Sequence, residues 1–89
     1  MDSKKIAVIV RDRQAEAFRM SVGLTILEDT IDLFLCRPLK AEEEVLAQLE
    51  GVKELDLKVF ATFQGAGLEH LTAEDMAERL LDYDHILPY

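Results

Sequence analysis

Short apolar runs alternate along the chain with longer segments in which an apolar residue recurs about every three or four positions. The runs are rich in β-branched and aromatic residues and predict strands at 5–10, 31–36, 57–62 and 85–89. The periodic segments predict helices at 13–27, at 41–55 and from Thr72 onward. The inward-facing residues predicted for the second and third helices are Val45, Leu49, Val52, Leu55, Met76, Leu80 and Leu81. This β-α-β-α-β-α-β order indicates a mostly parallel sheet between helical layers. We therefore expect residues 1–89 to form a single α/β domain, a three-layer αβα sandwich.

The polarity of each strand suggests its place in the sheet. The first run is continuously apolar, which is typical of a strand covered on both faces. Asp32 interrupts the second run, and Pro88 in the fourth has no N–H to donate, so both strands are expected at edges. The sequence thus predicts four strands in the order 2-1-3-4. Asp12 is expected to cap the first helix, and Thr72 to begin the third with a capping box.

The first helix presents an unusually wide apolar face. Two adjacent stripes make it up: Phe18, Val22 and Ile26, with Ala17, Met20, Leu24 and Leu27 beside them. Such a face fits either a deeply buried helix or a helix that partly contacts another subunit. A chain of 89 residues has a small core and often gains stability from association. We therefore expect a homo-oligomer.

The charge balance excludes some partners. The chain has 18 acidic and 10 basic residues, a net charge of -8, which disfavours nucleic acids and anionic membranes. No stretch approaches the roughly 20 apolar residues of a membrane span. Cys36 is the only cysteine, so no internal disulfide can form, and residues 1–5 do not resemble a signal peptide. A cytoplasmic location is expected.

Ligands of open α/β sheets bind beyond the carboxyl ends of the strands, where the strand order reverses. In the predicted order this crevice lies between strands one and three. It would be lined by the loop 11–14 and by the loop 63–67, including Gln64, Gly65 and Gly67. Dinucleotide and phosphate-loop motifs are absent, and the histidines and cysteine do not suit a structural zinc site. No cofactor and no metal are expected.

Three arginines are the candidate anion-binding residues at this rim: Arg11, Arg13 and Arg37. Guanidinium groups near helix starts suit small anions. Ordinary surface arginines, offset by acidic neighbours, are the commoner alternative.

Cys36, at the end of the second strand, is the candidate nucleophile. Arg37, Lys40 and a helix start nearby would lower the pKa of its thiol and favour the thiolate. The alternative, which we favour, is a packed and inert cysteine that merely ends a strand.

Four stretches, 5–12, 19–24, 31–35 and 81–89, together resemble small members of the DsrE/DsrF-like family of sulfur-relay proteins, which are related to the Tus proteins of tRNA thiolation. The resemblance implies a compact α/β fold, oligomers and a sulfur-relay protein partner. In active members it also implies a persulfide-carrying cysteine after the third strand. The matching stretch 62–67 has no cysteine. The resemblance therefore implies a non-catalytic binding or assembly member. The alternatives are a sulfur carrier that uses Cys36 and a small-anion sensor that uses the arginines.

Overall fold

The computed structural model describes residues 4–27, 30–62 and 68–89 of the chain. Its elements, in chain order, are β1 (Lys5–Val10), α1 (Gln14–Leu24), a 3-10 turn (Thr25–Leu27), β2 (Thr30–Leu35), α2 (Glu43–Glu54), β3 (Lys58–Ala61), β4 (Glu69–His70), α3 (Ala73–Leu80) and β5 (His85–Pro88). All four strand pairs are parallel, which confirms the α/β class.

The strand order differs from the prediction. Within the described residues the sheet has five strands in the order β4-β3-β2-β1-β5, so the predicted four-stranded order 2-1-3-4 is wrong. The additional strand, β4, consists of two exposed polar residues, Glu69 and His70, and has no apolar pattern that could reveal it. The second strand lies between β1 and β3 and not at an edge, and its residues from Ile31 to Leu35 are all buried.

Asp32 is compatible with a central strand because its carboxylate has a partner. Its side chain is buried, with 8% exposure, and its carboxylate accepts a hydrogen bond from the Tyr83 hydroxyl at 2.5 Å. A buried carboxylate is tolerated when a donor satisfies it. Burial, and then the neighbouring Asp32, raise the pKa of the Tyr83 hydroxyl above its ordinary value. The polar interruption therefore marks a buried pair between distant parts of the chain.

β5 lies at an edge of the sheet, as Pro88 predicted. Pro88 is opposite Ile9 in the parallel register with β1. In a parallel ladder the carbonyl of Ile9 bonds to the residue after its partner, and the N–H of Tyr89 donates to it at 2.8 Å, so the missing N–H of Pro88 removes no bond between β1 and β5. The last residue of the chain is thereby tied to the end of β1.

Two apolar clusters lie on opposite faces of the sheet. The larger contains alternate residues of β1 and β2, such as Val8 and Leu33, together with Phe18 of α1 and Val52 of α2. The smaller lies on the α3 side and includes Ala7, Phe34, Phe60 and Leu71. The rings of Phe34 and Phe60 stack with centroids 5.4 Å apart, and Tyr83 meets Phe34 edge-on at 5.7 Å. This aromatic group brings Tyr83 to Asp32.

Three apolar side chains on the predicted apolar faces of the helices, those of Ile26, Leu55 and Leu81, are exposed. Each follows the last residue of an α-helix, where the helical period no longer sets the direction of the side chain. The side chain of Leu27 lies outside the described part of the structure.

Of the two expected helix caps, the one at α3 forms and the one at α1 does not. Asp12 does not cap α1: the capping position is Arg13, which makes no side-chain capping bond. Thr72 does cap α3, since its hydroxyl accepts the N–H of Asp75 at 3.1 Å.

Replacing Tyr83 with phenylalanine should lower the free energy of unfolding by about 1–3 kcal/mol, because the buried Asp32 loses its donor. Urea unfolding would measure the change. Tyr89→Phe, which removes a hydroxyl from the other tyrosine, should cost less than about 0.5 kcal/mol. Equal losses in the two variants would contradict a stabilising bond between Tyr83 and Asp32.

Candidate functional site

The strand order reverses between β1 and β5, so the crevice at the carboxyl ends lies there. The crevice predicted between the first and third strands is wrong, since β2 lies between them. Arg13 borders the observed position. Its N–H donates to the Tyr89 carbonyl at 3.1 Å, and its guanidinium lies over the Tyr89 ring, 5.2 Å from the centroid.

An open groove of about 530 Å³ follows this position along α1 and β5. We call it the edge groove, and its lining residues are Arg13, Glu16, Arg19, Met20, Gly23, Leu87, Pro88 and Tyr89. The Met20 side chain is 46% exposed. A Cβ atom at Gly23 would meet no heavy atom within 4 Å, so the groove has free space beside this residue. The edge groove thus combines an apolar floor with charges of both signs.

Gln14 has a structural role that its place in the sequence does not reveal. It begins α1 and is 2% exposed, although the sequence places it in a polar loop. Its side-chain Nε2 donates to the carbonyls of Arg11 and Pro38, both at 3.0 Å, and its Oε1 accepts the N–H of Lys40 at 2.9 Å. The loop after β2 is therefore fastened to the loop after β1. In the sequence this glutamine follows three charged residues, and that local pattern does not indicate that its side chain connects two loops.

Two of the three candidate arginines have carboxylate partners. Arg37 pairs with Asp12 at 2.9 Å, and Arg13 pairs with Glu16 at 3.3 Å. These side chains are largely exposed, and such pairs contribute little to stability, about 0–1 kcal/mol. An anion at this rim would have to share these guanidinium groups with the carboxylates. Anion binding by Arg11, Arg13 and Arg37 stays a prediction, and Gln64, Gly65 and Gly67 lie outside the described residues.

Cys36 follows β2 and is half-buried. Its backbone N–H donates to the carbonyl of Val10 at 2.9 Å. Its Sγ lies 3.7 Å from the Phe34 carbonyl oxygen and 3.8 Å from the sulfur of Met76 in α3. The thiol therefore faces the smaller apolar cluster.

Burial raises the pKa of the Cys36 thiol above its ordinary value. Nearby Arg11, a hydrogen bond with Thr62 and then Arg37 act in the opposite direction, and their sum is smaller than the effect of burial. The expected lowering of this pKa by its basic neighbours is therefore outweighed. At neutral pH the arrangement favours the protonated thiol, which is a poor nucleophile.

Within residues 4–27, 30–62 and 68–89, no group of three or more His, Cys, Asp or Glu side chains is placed to hold a metal ion. In the same part of the chain, no helix is long and apolar enough to cross a membrane.

Comparisons of the chain with protein-family models, with curated proteins and with solved structures found no match. The likeness to the DsrE/DsrF-like family therefore rests on the sequence pattern alone. The function has to be argued from the geometry of this molecule.

Gln14→Glu should lower the free energy of unfolding by about 2–3 kcal/mol at neutral pH, because a carboxylate cannot donate to the Arg11 and Pro38 carbonyls. Acidification should return part of the loss, since burial favours the protonated carboxyl, which regains one donor. Denaturant unfolding at several pH values would measure this. Gln48→Glu on α2 is the matched control, and an equal effect there would exclude the role of Gln14.

Cys36 should react slowly with a neutral alkylating reagent in the native protein and quickly after denaturation. Because its pKa is raised, the midpoint of the native rate against pH should lie above that of the denatured chain. The rate at each pH can be followed by mass spectrometry. Rapid native alkylation below pH 7, with stable addition of sulfur from a persulfide donor, would support a sulfur carrier instead.

Proposed function

We propose that this chain is a non-catalytic, self-associating member of a DsrE-like sulfur-relay family that acts in the cytoplasm by binding and assembly. The observation that carries the proposal is the edge groove between α1 and β5. It lies at the open side of the sheet, and the occupant that we assign to it is a second copy of the chain.

The edge of β5 supports self-association. One side of this strand pairs with β1, and its other side has no neighbour among the described strands. Unpaired strand edges are surfaces on which another chain can pack. Ile86 lies on the α3 side of this edge, opposite Ala7 in the register, and is 47% exposed. Apolar surface therefore borders the edge on both faces, with Met20 on the α1 side.

The charges in the edge groove suit contact between two identical surfaces. A two-fold interface places one patch against its own copy, so the patch must be self-complementary. Glu16 and Arg19 place opposite charges on the same stretch of α1. The expected second role of the wide α1 face, contact with another subunit, is supported by Met20, which is 46% exposed in the monomer and lines the edge groove.

The environment of Cys36 supports a non-catalytic role. A sulfur carrier needs an accessible thiolate, whereas this thiol is half-buried against Phe34 and Met76 and has a raised pKa. The stretch 62–67, in which the family resemblance would place a working cysteine, has none. Sulfur transfer through Cys36 therefore remains the alternative, and the alkylation experiment above separates the two.

Sedimentation velocity at micromolar concentration should show species larger than the 10.1 kDa chain. Gly23→Gln should weaken self-association at least tenfold, equivalent to about 1.4 kcal/mol, because it fills the edge groove. The monomer should tolerate the change, since a Cβ at Gly23 meets no heavy atom within 4 Å and glycine is a poor helix former.

The matched control is Ala47→Gln, which adds the same side chain to an exposed position of α2 outside the edge groove. Its self-association should equal that of the unmodified chain. A monomer at all concentrations would refute the assembly proposal. Equal weakening by both variants would refute the assignment of the interface to the edge groove.

A further inference from the structure

A second cavity, of about 390 Å³, opens at the amino ends of the strands. Cys36 and the candidate arginines lie at the other ends of the strands, the carboxyl ends. The charged and polar lining of the cavity comprises Lys5, Thr30, Asp32, Asp56, Lys58, Arg79 and Tyr83. We call it the amino-edge pocket.

The cations of the amino-edge pocket belong to three different elements. Lys5 begins β1, Lys58 begins β3, and Arg79 lies in the last turn of α3. The Lys5 ammonium lies 5.0 Å from the centre of the Tyr83 ring, and the Arg79 guanidinium lies 4.6 Å from that of Phe60. Two of the three cations are thus placed against aromatic faces, which limits where they point.

These cations have no carboxylate partner in the described part of the structure. The salt bridges found there, within 4.0 Å, are Arg13–Glu16 and Arg37–Asp12, both at the opposite edge. The chain has 18 acidic residues against 10 basic ones, so three unpaired cations around one cavity are contrary to its overall charge. Their convergence is therefore a local feature that the fold creates.

The carboxylates of the pocket do not cancel this charge. Asp32 is buried and accepts the Tyr83 hydroxyl, so this carboxylate already has a donor. Asp56 is exposed and forms no salt bridge among the described residues. The lining has three basic and two acidic side chains, and all three basic groups can donate hydrogen bonds to a ligand.

We propose that the amino-edge pocket binds a small oxyanion with two negative charges, such as a phosphate or a dicarboxylate group. Arg79 supplies a planar pair of donors suited to an oxyanion, and Lys58 and Lys5 supply point charges from two other elements. The volume accommodates a group of this size together with water. This site is distinct from the arginines at the carboxyl edge and does not depend on self-association.

The test is a titration of the folded, unmodified chain with inorganic phosphate at constant ionic strength, followed by amide chemical shifts. Saturating shifts should concentrate at the starts of β1 and β3 and at the end of α3. Succinate in a second titration distinguishes a phosphate preference from general dianion binding, and chloride should cause no saturating shift. Either dianion satisfies the proposal.

Lys58→Gln should raise the dissociation constant about fivefold or more by removing one cation from the pocket. Lys58 is exposed and has no other side-chain partner among the described residues, so the variant should fold normally. Lys53→Gln is the matched control, because it removes the same charge from an exposed position at the end of α2. It should change the constant less than twofold.

Three results would overturn the proposal: no saturation by either dianion, shifts confined to the loops at the carboxyl edge, or equal effects of Lys58→Gln and Lys53→Gln. The last would indicate general charge screening. If Lys58→Gln altered the fold, Arg79→Lys, which keeps the charge but removes the planar donors, should raise the constant and serve as the second variant.

Discussion

The buried side-chain amide of Gln14 holds the carboxyl edge of the sheet in its arrangement. Its three hydrogen bonds reach the backbone of Arg11, Pro38 and Lys40, so one side chain connects the loop after β1 with the loop after β2. A second link reinforces the connection, since the Lys40 ammonium donates to the Asp12 carbonyl at 2.7 Å. Because a buried polar group without a partner is costly, these loops are fixed relative to each other. Cys36 begins the second of these loops, and its N–H donates to the Val10 carbonyl at the end of β1.

The Asp32–Tyr83 hydrogen bond has a comparable role at the amino edge. It joins the central strand β2 to the segment after α3, and the Phe34 ring packs edge-on against Tyr83. Lys5, Lys58 and Arg79 line the cavity beside this hydrogen bond, and the buried carboxylate of Asp32 in that cavity already has its donor. The two edges therefore differ in kind. At the carboxyl edge Arg13 and Arg37 have carboxylate partners, whereas at the amino edge the three cations have none among the described residues.

These arrangements place the thiol of the single cysteine apart from the surfaces that we propose for assembly and for ligand binding. Cys36 is packed against Met76 and carries a raised pKa, which disfavours thiolate chemistry at neutral pH. The open groove beside β5 is the surface that we propose for contact with another chain, and the amino-edge pocket is the site that we propose for a small anion. The two proposals concern different parts of one small sheet.

The sequence by itself determined the α/β class, because strand-like runs and helical repeats depend on local side-chain spacing. The burial of Val45 and Leu49, the cap at Thr72 and the edge position of β5 follow from similarly local rules. The strand order, the second strand's central place and the exposure of Leu81 were decided only by the tertiary structure. Asp32 looks like an edge residue until Tyr83, 51 positions later, supplies its donor, and Gln14 looks like a loop residue until Pro38 and Lys40 surround it. Such partners are distant in the chain, and no local pattern of polarity specifies which of them will meet.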